Sequence, residues 1–220
     1  MIDFIKPAIN PFWTDRPADP FAAGRLNRLL ERNATDPSWE IVKQGLRVRA
    51  SEDVVVFCAG TVFPSMTRLM AGETVTLTPI GPGFREYLVA VPLREAGLKR
   101  RVSPDEWGYI APLRVRAGGG PEFADGCLDG GFRITAADRL GLRLERLGPP
   151  IPALPPILSA PVGWGTIQLP PDGNPIILGP DAASTGGYPR VGWVVPEDVR
   201  VLGQAGPNQS IEIIVSATAT

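Results

Sequence analysis

Alternation of apolar and polar side chains with a period of two dominates the chain. Leu46-Arg-Val-Arg-Ala50 and Thr74-Val-Thr-Leu-Thr78 carry their apolar groups on one face only, as half-buried strands do. Val54-Val-Val-Phe-Cys58 and Tyr87-Leu-Val-Ala-Val91 are apolar throughout and predict strands covered on both faces. The series continues through Leu113–Arg116, Phe132–Thr135, Leu142–Glu145, Thr166–Leu169, Pro175–Leu178, Val191–Val195 and Ile211–Val215. One segment breaks the rhythm. Asp19 is a good N-cap and Pro20 suits the first helical position. Phe21, Leu26, Leu29 and Leu30 fall near one face, and Asn33 is a stop, so the spacing predicts a helix over residues 20–33. A short helical turn is expected at Pro196–Leu202. Together these elements predict a mainly β protein, a barrel or a sandwich, with one principal helix near the N-terminus.

Glycine and proline, 25 of each among 220 residues, fit many short elements joined by tight turns. The stretch Arg94–Ala111 is the expected connector between two lobes, residues 1–111 and 112–220. Its Lys99, Arg100 and Arg101 are followed by Asp105 and Glu106, which reads as a self-neutralising loop rather than a nucleic-acid patch. Residues 148–156 (GPPIPALPP) read as an extended, polyproline-like stretch, and the end from Ser216 to Thr220 as frayed.

Charge and histidine content narrow the chemistry. Lys+Arg of 22 against Asp+Glu of 23 leaves no basic field for nucleic acid and no polybasic membrane patch. With no histidine, the chain cannot supply a Ser-His-Asp triad, a Cys-His dyad or an HExxH zinc site. Cys58 and Cys127 show no CxxC spacing and read as reduced thiols rather than a disulfide. The N-terminus has no apolar leader and no run approaches a membrane span, so a cytoplasmic protein is expected. No Walker A pattern occurs, and Gly118-Gly-Gly120 lacks the third glycine of a dinucleotide fingerprint. No cofactor is expected on this chain.

Candidate chemistry concentrates in residues 163–190. Pro171-Asp172-Gly173 joins two strand candidates and reads first as a hairpin turn. Thr185-Gly186-Gly187-Tyr188-Pro189 holds more glycine than a turn needs. Its backbone amides can line an anion-holding hollow, with Tyr188 as a wall, or it can be turn architecture alone. Arg139, Asp181 and Arg190 are candidate charges for such a site. The guanidinium of Arg139 can grip a substrate carboxylate, or it can pair with Asp138 or Glu145. Gln168 can hydrogen-bond an amide or be a satisfied polar group between strands. Asp181 can serve the site or cap a turn. The candidate ligand-binding set is therefore Arg139, Gln168, Asp172, Asp181, Thr185, Gly186, Gly187 and Tyr188, and no catalytic residue is assigned.

Several blocks carry a family resemblance. They are Gly120-Pro-Glu-Phe123, Asp138-Arg-Leu-Gly-Leu-Arg-Leu-Glu145, Ser159-Ala-Pro-Val162, Gly165-Thr-Ile-Gln-Leu-Pro-Pro-Asp-Gly-Asn-Pro-Ile176, Asp181 and Thr185-Gly-Gly-Tyr-Pro-Arg190. In order and spacing they resemble the family of the bacterial 5-oxoprolinase C subunit. That family is also called KipA or allophanate hydrolase subunit 2, and is related to the carboxyltransferase region of urea carboxylase. The N-terminal half is looser, with Gly24-Arg-Leu-Asn-Arg-Leu-Leu30 and Ala71-Gly-Glu-Thr74 in familiar order. The chain departs from the family where an "SEPV" block reads Ser159-Ala-Pro-Val162, with Ala160 in place of the carboxylate, and where "GAMD" reads Pro17-Ala-Asp19. It looks like a shortened, divergent member. The resemblance implies two cyclophilin-like β-barrel lobes and a KipI-like B subunit as partner, with a LamB/YcsF-like A subunit beside it. It also implies ATP-dependent opening of 5-oxoproline to glutamate by the complex, or a non-catalytic, KipA-type regulatory role that binds the partner and a small carboxylate or amide.

Overall fold

A computed structural model of the chain describes residues 1–6, 11–42, 46–59, 65–77, 84–96, 112–117 and 128–216. Gly118–Gly120, the block 120–123, Cys127 and the connector from residue 97 to 111, with its charged run, lie outside the described residues, as do residues 217–220. The fold is mainly β, with its principal helix near the N-terminus. The chain divides into two compact units, Met1–Ile110 and Ala111–Thr220.

The first unit contains β1 (Ile2–Lys6), β2 (Phe12–Thr14), α1 (Pro20–Leu29), β3 (Ser38–Val42), β4 (Leu46–Ala50), β5 (Val54–Ala59), β6 (Ser65–Leu69), β7 (Thr74–Leu77) and β8 (Arg85–Pro92). β1-β4-β7 make one sheet and β2-β3-β8-β5-β6 another. Val48, Leu46, Val54, Val56 and Leu88 share one core between the sheets, while Val55, Phe57, Tyr87 and Val89 pack under Ala22, Ala23 and Leu26 of α1. β5 is thus buried on both faces, as its unbroken apolar run predicts.

The helix stops at Leu29, four residues before the expected Asn33. Glu31 turns to φ 55°, and the Asn27 side chain donates to the Asp36 carbonyl at 2.6 Å, so the chain is folded back before Asn33. Its buried face is also set slightly differently, with Ala22, Ala23, Leu26 and Leu29 inside and Phe21 exposed.

A buried polar system ties α1 to the sheet. Asp19 caps the helix, accepting from the Phe21 and Ala22 amides at 3.0 Å each. Its own amide donates to the Tyr87 hydroxyl at 2.7 Å, and that hydroxyl donates to Glu40 Oε2 at 3.0 Å. The Ala18 amide reaches the same oxygen at 2.8 Å, and Arg85 Nε lies 3.2 Å from Glu40 Oε1. Burial, then the nearby charges of Glu40 and Asp19, push the Tyr87 phenol well above its ordinary range. Burial likewise raises the Cys58 thiol, assisted by Glu86.

The second unit contains β9 (Leu113–Ala117), β10 (Gly130–Ala137), β11 (Gly141–Arg146), β12 (Ala160–Pro161), β13 (Thr166–Gln168), β14 (Ile176–Leu178), β15 (Thr185–Gly186), β16 (Arg190–Val194), α2 (Val199–Gln204) and β17 (Ser210–Ser216). Seven of its strands close a barrel in the order β10-β11-β14-β13-β16-β9-β17, and β12 pairs with β15 apart from it. Every barrel pairing is antiparallel except β9 with β17. Alternate residues, Leu113 and Val115, Phe132 and Ile134, Leu142 and Leu144, Ile211 and Ile213, are buried. The turn expected at Pro196–Leu202 is a 3-10 turn, Pro196–Asp198, leading into α2. Asp198 fastens it to β9, accepting from Arg114 Nη2 at 2.7 Å and Nε at 2.9 Å. Burial raises that carboxyl, but the hydrogen bonds and charge of Arg114 outweigh it and hold the Asp198 pKa below its usual value.

Candidate functional site

The barrel brings the eight candidate residues together in two separate groups, at the two ends of β14. At the Leu178 end, the Asp138–Gly141 turn clasps the segment after β14. Asp138 Oδ1 accepts from the Leu140 amide at 2.7 Å and the Gly141 amide at 3.1 Å. Across the clasp the Gly179 amide donates to the Leu140 carbonyl at 2.8 Å and the Asp181 amide to the Arg139 carbonyl at 3.0 Å. The Arg139 guanidinium then meets Asp181 fork to fork, Nε to Oδ2 at 2.7 Å and Nη2 to Oδ1 at 3.0 Å. This replaces the pairings that local sequence offers it: Asp138 caps its own turn and Glu145 receives Arg133.

A bidentate pair that closes on itself is a structural tie more than a receptor for a free carboxylate. It is also partly wet, with Asp181 37% exposed. Arg139→Ala is therefore expected to lower unfolding stability by only about 1 kcal/mol. Urea titration of the two proteins checks this.

At the Ile176 end sits Gln168, the last residue of β13, paired in register with Ile176 and Arg190. It is 6% exposed, and its Nε2 has no hydrogen-bond partner among the described residues. A buried amide donor left unmade costs about 1–3 kcal/mol, so this group is primed for an acceptor. The reason for Gly186 is now plain. A Cβ there would collide with Gln168 Nε2, so only glycine lets the carboxamide lie against the β15 backbone. Gly186 is paired with Ala160 and Thr185 with Pro161.

Asp172 lies in the β13–β14 turn. The Gly173 amide donates to the Pro170 carbonyl at 3.0 Å, Gly173 takes φ 75°, and Asp172 Oδ1 accepts from the Asn174 amide at 3.1 Å. Those are the contacts of a hairpin turn. A Cβ on Gly173 would also stand 2.6 Å from the Ile151 carbonyl oxygen, so the turn seats the 148–156 segment.

Gly187 and Tyr188 line a cavity of about 260 Å3 with Leu154, Pro156, Leu169, Pro171 and Pro189. The Tyr188 hydroxyl is the one ionisable group on these walls among the described residues. The proline-rich segment forms one side: Ile151 is buried, Leu154 and Ile157 are half-buried, and the positions between them are exposed. That three-residue spacing is the period of a polyproline II strand, and the sequence carries it as Ile151-x-x-Leu154-x-x-Ile157. A search for charged groups passes over these apolar walls, although their period is the signal that finds them.

Residues 120–214 match the family described as carboxyltransferase domain, subdomain A and B. Two curated relatives carry the name of the 5-oxoprolinase C subunit. That of Haemophilus influenzae is 37% identical over 78 residues, covering 34% of this chain and 25% of its own length. That of Escherichia coli is 30% identical over 144 residues, covering 62% and 42%. The chain thus matches less than half the length of either. Among solved structures, TTHA0988 superposes over 97% of this chain and 55% of its own, with 29% identity and a TM-score of 0.75. Kluyveromyces lactis urea carboxylase, 15% identical, shares the fold over 97% of this chain and 27% of its own, with a TM-score of 0.77. The resemblance read from the residues is borne out: over the matched residues the chain is similar to the carboxyltransferase domain family and to the 5-oxoprolinase C subunits.

Proposed function

We propose that this relative of the 5-oxoprolinase C subunit is a non-autonomous part of a 5-oxoprolinase-type complex. It acts beside a KipI-like B subunit, with a LamB/YcsF-like A subunit completing the assembly. The complex opens 5-oxoproline to glutamate at the expense of ATP, with nucleotide handled by another subunit. One observation carries this chain's part in the reading: the buried, unpartnered Gln168 Nε2 held against Gly186. A lactam carbonyl is the acceptor such a donor lacks, and its strengthening negative charge during ring opening would tighten the bond. Thr185 flanks this pair on β15. Arg139 and Asp181 support the barrel instead of meeting the substrate.

The test is reconstitution. The chain is mixed with its B- and A-type partners, ATP and 5-oxoproline, and glutamate is measured. Gln168→Ala is expected to lower kcat/KM ten- to hundredfold, the equivalent of about 1–3 kcal/mol. Unchanged kcat/KM in that variant would remove Gln168 from the site. Failure to associate with any B-type partner would remove the complex.

A second reading has its own support. Arg139 is already engaged by Asp181, and Ala160 stands where the family has an acid. Both features suit a KipA-type regulatory protein that binds the B subunit and a small amide or carboxylate without turning it over. Partner binding with no glutamate formed selects this reading.

A further inference from the structure

The ladder between β13 and β16 changes register beside Gln168. Ile167 faces Gly192, so an unbroken antiparallel ladder would set Val191 opposite Gln168. One extra residue on β16 sets Arg190 there instead, while Val191 is buried. Bulges of this kind re-aim a side chain, and they gather next to functional sites. Residues directly opposite share a face of the sheet, with Cβ atoms about 4.5–5.5 Å apart. Both side chains here meet the ribbon of β12 and β15. Gln168 lies against Gly186, and Arg190 Nη1 donates to the Pro161 carbonyl at 3.4 Å. Pro161 is in turn the register partner of Thr185. A carboxamide donor and a half-buried guanidinium therefore stand side by side under one cover.

We propose that Arg190 selects the substrate at this site, holding its carboxylate while Gln168 holds its amide carbonyl. The inference rests on Gln168 being a substrate donor, and it names the substrate class: a small amide that also carries a free carboxylate. The bond from Arg190 to Pro161 is long, and its acceptor is neutral. A carboxylate accepts from a guanidinium at about 2.7–2.9 Å, in a bond roughly twice as strong as a neutral one, and so can displace that carbonyl. Arg139, by contrast, already has a carboxylate on both prongs of its fork. In 5-oxoproline the lactam carbonyl and the carboxylate flank the ring nitrogen, which suits two donors on adjacent strands. 2-Pyrrolidinone has the same lactam without the carboxylate, and it leaves the guanidinium covered with no anion to hold.

The reconstituted complex tests this with the two lactams side by side. Arg190→Ala is expected to raise KM for 5-oxoproline about ten- to hundredfold, with kcat changed far less. It should leave 2-pyrrolidinone, a poor substrate in every variant, unaffected. Arg190→Lys keeps the charge without the fork and should recover part of the loss. Gln168→Ala differs in kind, since it should weaken both lactams alike. Titration calorimetry of the same mixtures reads binding directly, so the outcome does not depend on glutamate being formed. There Arg190→Ala should weaken 5-oxoproline by the same factor and 2-pyrrolidinone not at all. Unchanged KM and affinity for 5-oxoproline in Arg190→Ala overturn the proposal. So does an equal loss for both lactams, the mark of a displaced ribbon, or a mixture that binds neither. If Gln168→Ala is silent while Arg190→Ala keeps its selective loss, the reading of Gln168 fails and the carboxylate contact of Arg190 stands.

Discussion

Arg85→Met is expected to cost about 3–5 kcal/mol, a large part of the roughly 5–15 kcal/mol that stabilises a typical domain. Arg85 is 1% exposed and the Glu40 carboxylate beside it 4%. The Arg85 guanidinium, the Tyr87 hydroxyl and the Ala18 amide all meet Glu40. The last two are neutral. Removing the Arg85 cation strips a carboxylate in a low-dielectric interior of this ion pair, which favours protonating it or opening the first unit. The loss should spread to α1, because Tyr87 links Glu40 to the Asp19 amide at the helix start. Denaturant unfolding gives the magnitude, and amide exchange shows whether α1 and β3 lose protection together. The double variant Arg85→Met/Glu40→Leu should regain much of the stability, since replacing both buried charges by apolar groups is often neutral. A single-variant loss below about 1 kcal/mol would mean that water reaches Glu40 in solution.

In this same cluster the pattern of the sequence stops being readable. Strands with clean alternation, such as Leu46–Ala50, or with unbroken apolar runs, such as Val54–Ala59, announce themselves because burial on one face or two leaves a simple pattern. β3 does not. Its Ser38 and Glu40 are buried polar residues on an inward face, so Ser-Trp-Glu-Ile-Val carries no readable period, and its partner lies 47 residues away at Tyr87. β6 is hidden for the opposite reason, with Met66 left exposed on a sheet-edge strand. In the second unit, the Gly186-Gly187 pair is legible as a place short of side chains, but not that only the first of the two excludes one, nor what excludes it. Gln168 does so at Gly186 from another strand. The Arg139–Asp181 tie joins residues 42 apart, beyond the reach of any local pattern, and local charge points instead to Asp138 and Glu145.

Gly179→Ala should be among the most damaging small substitutions in the second unit, lowering stability by about 3 kcal/mol or more. A Cβ at Gly179 would fall inside contact distance of the Arg139 carbonyl oxygen and 3.0 Å from the Gly141 nitrogen, both of them backbone atoms. Gly141 returns the constraint: at φ 152° it needs glycine's freedom, and its own Cβ would strike the Ile177 carbonyl oxygen. Neither neighbour can rotate away as a side-chain tip can. The two backbones must part, and with them the bonds from Gly179 to Leu140 and from Asp181 to Arg139. Gly186→Ala offers the contrast, because the group it meets is the end of the Gln168 side chain, which can swing aside at lower cost. A melting-temperature series of Gly179→Ala, Gly186→Ala and Arg139→Ala separates the roles. If the clasp is held by backbone fit and the ion pair only trims it, Gly179→Ala falls furthest and Arg139→Ala least. If Arg139→Ala instead abolished activity while leaving the melting temperature untouched, the arginine would belong to the substrate, with Asp181 as its resting partner.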